Sequence, residues 1–164
     1  MYKRQITSSS SAQENIGAAK ISLGVSAKSG KKTSIHAFTR DSTALGNGKD
    51  YTNINEAIFV PVGKSRITFP LNISDDNIDE YDEHIIIDLI DSTVTNANTG
   101  SARKHILTII DNDPPPDVEF ITSNTSVSEA GGKHIVILNL SNQSGKEVYV
   151  DYQICLLYTS PSPR

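Results

Sequence analysis

Apolar residues recur at every second position along much of this chain, and that period narrows the possible folds more than any other feature of the sequence. Ile67, Phe69, Leu71 and Ile73 alternate with Arg66, Thr68, Pro70 and Asn72. Ile85, Ile87 and Leu89 form a second row, and Leu107 and Ile109 a third. Successive side chains of an extended strand point to opposite faces, so such alternation describes strands buried on one side. The segments between the rows, among them SGKK, GNG, PVGK and NANTG, have turn composition. No stretch competes with the period of an amphipathic helix. Roughly seven short strands between closely spaced turns predict an all-β protein, an antiparallel β-sandwich. The inward rows are chiefly aliphatic and read as core, not as a ligand groove.

The chain also repeats itself. ITSSSSAQENIGAAKISLGVSAKSGK, from Ile6, aligns without a gap on ITSNTSVSEAGGKHIVILNLSNQSGK, from Ile121, at an offset of 115 residues. Glu14 falls on Glu129, Gly17 on Gly132, Leu23 on Leu138, and the SGK of residues 29–31 on that of residues 144–146. The alternation agrees as well, with Ile21, Leu23 and Val25 matching Val136, Leu138 and Leu140. A tandem repeat is therefore expected: one module over residues 6–113 that lacks the start of its first strand, since the equivalents of Val118–Phe120 would precede Ile6, then a linker over 114–117, and the opening strands of a second module over 118–154. The linker lies in DNDPPPD, Asp111–Asp117. Its three prolines predict a stiff, extended connection, because each fixes φ and favours polyproline II.

The two ends carry a different signal. YKRQ, at Tyr2–Gln5, can be encoded as TAT AAG AGA CAG. The reverse complement of that DNA, shifted by one base, encodes CLLY, which stands at residues 155–158. The stretch resembles a transposon end used to fragment DNA for sequencing. Residues 1–5 and 155–164 are accordingly expected to be adapter translation that takes no part in the fold. The single cysteine, Cys155, then falls outside the folded segment, leaving no disulfide, cysteine–zinc site or thiol nucleophile. The whole chain carries 15 basic and 19 acidic residues, a formal charge of −4; without Lys3, Arg4 and Arg164 the charge is −7. An acidic balance argues against a nucleic-acid partner, whose phosphates require Lys and Arg. No apolar run of about 18 residues is present, so membrane insertion by this segment is not expected.

The most informative stretch is SDDNIDEYDEHIIIDLID, Ser74–Asp91. It holds eight carboxylates and no Lys or Arg: Asp75, Asp76, Asp79, Glu80, Asp82, Glu83, Asp88 and Asp91. A solvated acidic loop is the plain alternative. The run from Asp75 to Glu83 lies between two apolar strands, however, which crowds charge at one end of a sandwich. A further acidic cluster, Asp111 and Asp113, closes a later strand. Crowded carboxylates repel unless a cation or protons compensate. Many oxygen donors suit calcium, which takes about six to eight of them in flexible geometry. Zinc is disfavoured, since His36, His84, His105 and His134 are scattered and no cysteine is left. An EF-hand fails, because counting from Asp75 places Glu80 where glycine is needed and Ile86 at the twelfth position.

GKDY at Gly48–Tyr51, FVPVG at Phe59–Gly63, the alternation into ISDDNIDEYDE, and LTIIDND running into prolines together resemble the Calx-beta domain. SVSEAGG at Ser126–Gly132 resembles the opening of a second copy. The resemblance covers residues 6–154. It implies an immunoglobulin-like β-sandwich, in a family found in sodium–calcium exchangers, matrix proteins and bacterial surface proteins, some of whose members bind calcium at one pole. Carried over by position, it implies Glu14, Asp50, Asp75, Asp76, Glu80, Asp111 and Asp113 as Ca2+ ligands. Asn112 departs from an all-acidic closing cluster. Glu83 matches a second glutamate that reads as structural, and Glu129 would begin the site of the second module. The resemblance also implies an extracellular or cell-surface setting, with neighbouring repeat modules of the same chain as partners.

Two other functional classes bear on the same sequence. A metal-free structural or adhesive spacer fits the same fold and repeat, and it differs in whether the acidic side chains converge. An enzyme is not expected. A glycosidase needs two carboxylates across a sugar cleft, and few aromatics are available to build one. GNGK at Gly46–Lys49 lacks the spacing of a phosphate loop, and no motif supports a Ser-His-Asp arrangement.

Overall fold

The computed structural model describes residues 9–155. Residues 1–5 and 156–164, read above as adapter translation, lie outside the described residues together with residues 6–8. The strands of the first module follow the sequence rows: β1 (Ser9–Gln13), β2 (Ala18–Gly24), β3 (Thr33–Asp41), β4 (Asn55–Val60), β5 (Arg66–Asn72), β6 (Glu83–Thr95) and β7 (Lys104–Ile110). They form a five-stranded sheet in the order β1-β7-β6-β3-β4 and a two-stranded sheet of β2 and β5. The turn compositions mark real turns. Gly48, Gly63 and Asn96 all take positive φ there, a backbone region that glycine and asparagine enter most readily.

Each of the three rows supplies buried side chains to one core between the sheets: Phe69, Leu71 and Ile73 from β5 and its end, Ile85 and Ile87 from β6, Leu107 and Ile109 from β7. Ile67 and Leu89, in the same rows, are only partly buried. Tyr51 lies outside the apolar rows yet is fully buried. It forms an antiparallel bridge with Ile73, and its hydroxyl donates to Asp41 Oδ1 at 2.6 Å. Burial first, and then the Asp41 carboxylate, push the phenol up to about 12, so it remains a neutral donor.

One strand pairing of the first module is parallel. β1 runs parallel to β7, from Ser9 opposite Ile106 to Gln13 opposite Ile110. The chain then makes a 3-10 turn at Glu14–Ile16, passes Gly17 at φ 73°, and enters the other sheet as β2. The opening segment is thus divided between the two sheets.

The second stretch contains β8 (Val118–Phe120) and β9 (Leu138–Leu140), paired antiparallel, with a 3-10 turn at Glu129–Gly131 between them. That turn repeats the one at Glu14, and Gly132, like Gly17, has φ 73°. Residues 124–128, which align with β1, form no strand. β1 is held by β7, and no counterpart of β7 stands among the described residues of this stretch. Val136, Leu138 and Leu140 are exposed, whereas Ile21, aligned with Val136, is buried in a strand paired with β5. Cys155 is exposed.

Candidate metal centre at the acidic pole

Three inward rows run on into the same end of the sandwich, and each finishes there in a carboxylate. In β1, Ala12 is buried and Glu14 stands two residues beyond it. In β7, buried Ile109 is followed at the same spacing by Asp111 and Asp113. In β6, buried Ile85 is preceded by Glu83, which is paired with Ile109. The period of two aims each of these acids along the core face just where the apolar filling stops.

Two groups result. Glu14, Asp111 and Asp113 place one carboxylate oxygen each within 4.8 Å of one another, and so do Asp50, Glu80 and Glu83. The two groups border one small cleft, lined by Glu14, Asp50, Glu80, Tyr81, Glu83, Ile109 and Asp111. Asp50 belongs to the loop between β3 and β4. Its Oδ2 accepts the Leu45 amide at 2.6 Å, while its carbonyl accepts the Ser74 amide at 2.9 Å. Turn capping and membership of the acidic group are therefore compatible. Asp111 Oδ2 accepts the Glu80 amide at 3.0 Å, joining the two groups. Asn112 Oδ1 accepts the Asn15 amide at 3.0 Å, which holds the turn that carries Glu14.

The charges are poorly compensated. Glu14 is pushed up to about 7, chiefly by burial, then by the Asp76 charge, with Asp111 and Asp113 adding to it. Glu83 is also pushed up to about 7, by burial and then by Asp50. Burial raises Glu80 as well, against the pull of Lys49. Asp113 is raised by loss of solvent and by its acidic neighbours, and its Oδ2 is buried without a hydrogen-bond partner. A buried carboxylate oxygen with nothing to accept from costs free energy unless a proton or cation meets it. Oxygen-only donors in two adjoining groups fit a hard cation such as calcium.

Asp75 and Asp76 belong to neither group, and both are exposed. The chain leaves the extended path after Ile73, so the spacing that carries β7 on to Asp111 no longer applies. Asp76 Oδ1 accepts the Ile78 amide at 2.8 Å, and the Asp76 backbone hydrogen-bonds the Glu14 carboxylate. Glu83, read from the sequence as structural, lies within a group. Its spacing from Ile85 and Ile87 was the available signal.

Asp79 gave no such signal, yet it is buried, 5 % exposed. The second stretch covers it. The Gly145 amide donates to the Asp79 carbonyl at 2.9 Å, and Ser144 Oγ donates to Asp79 Oδ2 at 3.2 Å. The Lys146 ammonium pairs with Asp79 and lies 3.5 Å from Asp111 Oδ2. Gly145 fits because it lacks a side chain: a Cβ there would sit 2.8 Å from Glu80 Cγ. Asn142 Nδ2 donates to the Asn77 carbonyl beside this contact.

Fold and pole together define an immunoglobulin-like β-sandwich module with a carboxylate-lined end, repeated in tandem. The Calx-beta domain family matches residues 6–113 and again 111–155, and the chain belongs to that family. Its structure is similar to that of the calcium binding domain CBD12 of CALX1.1, at 21% identity and a TM-score of 0.60, over 74% of this chain and 50% of that one. CBD12 from CALX1.2 is similar to the same degree, at 21% identity and a TM-score of 0.60, over 71% of this chain and 46% of that one. The apo-form Calx CBD1 domain matches at 22% identity with a TM-score of 0.55, over 65% of this chain and 92% of that domain. At these identities the likeness is one of fold. The chain spans about half the length of the CBD12 structures. No curated protein sequence matches it. Among the described residues, no helix is long and apolar enough to cross a membrane.

Proposed function

We propose that this chain is a calcium-binding structural module of a larger repeat protein at the cell surface or outside the cell. The buried, unpartnered Oδ2 of Asp113 beside Glu14 and Asp111 is the observation that carries this reading. Glu14, Asp111 and Asp113 would hold one ion, and Asp50, Glu80 and Glu83 a second. Bound calcium supplies positive charge that relieves the repulsion among these acids. Asp113 directly precedes Pro114, so fixing its carboxylate also fixes the start of the proline linker. The solved CBD12 structure is named as a calcium binding domain, which supports the assignment by analogy. In the extracellular setting proposed here, even weak sites with dissociation constants of order 10⁻⁴–10⁻³ M would fill.

The metal-free spacer remains the second reading. Lys146 already supplies one cation to Asp79 and Asp111, and the Asn112 oxygen is engaged with Asn15.

Thermal unfolding in millimolar calcium and in chelator decides between them. Calcium at about a hundred times its dissociation constant should stabilise the fold by about 2.7 kcal/mol. Magnesium should not reproduce the shift, and Glu14→Gln combined with Asp113→Asn should remove most of it. A melting temperature indifferent to calcium would establish the spacer.

A further inference from the structure

The tripeptide that caps the acidic pole occurs twice in the chain. At residues 144–146 it is docked: the Gly145 amide, Ser144 Oγ and Lys146 Nζ all engage Asp79. Its local shape is held by the Lys146 amide, which donates to Ser144 Oγ at 3.1 Å. At residues 29–31 the same three residues keep the same internal bond, from the Lys31 amide to Ser29 Oγ at 3.0 Å. Here the Ser29 carbonyl is tied to the Gly63 amide at 2.9 Å, while Lys31 is exposed and makes no ion pair among the described residues. A Cβ on Gly30 would meet nothing within 4 Å, whereas one on Gly145 would strike Glu80. One copy of the motif is seated and the other is open.

The open copy lies at the far end of the module. β2 starts beside the pole, with the Gly17 carbonyl bonded to Ile73, and ends at Gly24 opposite Arg66, from which the chain runs on to Ser29. The module therefore carries a donor loop at one end and an acidic acceptor at the other. Such head-to-tail contacts join unlike surfaces, so copies can add on in a ring or an open string.

We infer that Ser29-Gly30-Lys31 is a docking loop for the acidic pole of another module of this kind, seating on its Asp79-like carboxylate as residues 144–146 seat on Asp79. The inference does not depend on calcium.

The acidic pole of this chain is filled by its own Lys146, a contact favoured by the high effective concentration of a tethered group. Lys146→Glu frees the pole and makes it available to Lys31 of a second copy. Sedimentation velocity is run at low ionic strength, in chelator, with reductant present so that Cys155 cannot cross-link copies. Lys146→Glu should then show a sedimentation coefficient that rises with concentration, and Lys146→Glu/Lys31→Glu should lose that rise. Lys146→Gln, which adds no charge to the pole, should behave as Lys146→Glu does. Circular dichroism of each variant confirms that the sheets are intact. Variants that stay monomeric while folded would overturn the inference. Self-association that persists in the Lys31→Glu double variant would overturn it too, since that would place the contact on the exposed apolar residues of the second stretch.

Discussion

At the scale of single residues, the pole is governed by where carboxylates lose water. Glu14 and Glu83, ordinarily near 4.5, are both raised to about 7. A carboxyl raised on folding binds its proton more tightly in the native state. The stability it contributes is complete below the unfolded value and is lost as pH rises through the folded one. In chelator, the melting temperature should therefore fall between about pH 4.5 and 7, the reverse of the usual behaviour of a paired carboxylate. Calcium should remove that decline, and its affinity should weaken as pH drops below 7 and protons compete for the same oxygens. Thermal melts at several pH values with and without calcium check both. Tyr51 gives a separate prediction. Tyr51→Phe leaves the ring in the core but removes its hydrogen bond to the Asp41 carboxylate, whose Oδ1 keeps the Gly46 amide, and should cost about 1 kcal/mol in chemical denaturation.

At the scale of elements, the loop between β3 and β4 shows how tightly the pole is framed. Gly46 lies against Asn53, whose Oδ1 accepts the Asn47 amide at 2.5 Å, and a Cβ on Gly46 would sit 2.3 Å from that same oxygen. Gly46→Ala should destabilise the module by about 1–3 kcal/mol, the range of an overpacked site, and should weaken cation binding through the displaced Asp50. Calorimetry with and without calcium reads both effects. The strands themselves were legible, because a period of two states which face is buried: Leu71, Ile85 and Leu107 are fully enclosed as the rows require. Glu14, Asp111 and Asp113 converge for the same reason, as continuations of inward rows. Asp75 and Asp76 lie beyond the reach of the period of two. Acidic density is visible in a sequence, but the direction of a side chain in a loop is not. Asp79 was hidden for a different reason, since the groups that bury it lie 65 or more residues further along the chain.

At the scale of the whole molecule, the second stretch and the acidic pole share Asp111. The Lys146 ammonium lies 3.5 Å from its Oδ2, while the same carboxylate groups with those of Glu14 and Asp113. Like charges on one group oppose each other, so Lys146→Gln should bind calcium more tightly than the unaltered chain in a calorimetric titration. Reciprocity then requires that calcium loosen the Lys146 contact by the same factor. The parallel pairing of β1 with β7 has a consequence of another kind. Among the described residues the first module runs from Ser9 at the head of β1 to Ile110 at the foot of β7, and in a parallel pair those two points lie at opposite ends of the ladder. Tension applied along a string of such modules would slide the two strands past each other instead of peeling them apart. Every bond of the ladder between Ser9–Gln13 and Ile106–Ile110 would then bear load at once, and a module built this way resists stretching until the whole ladder fails together.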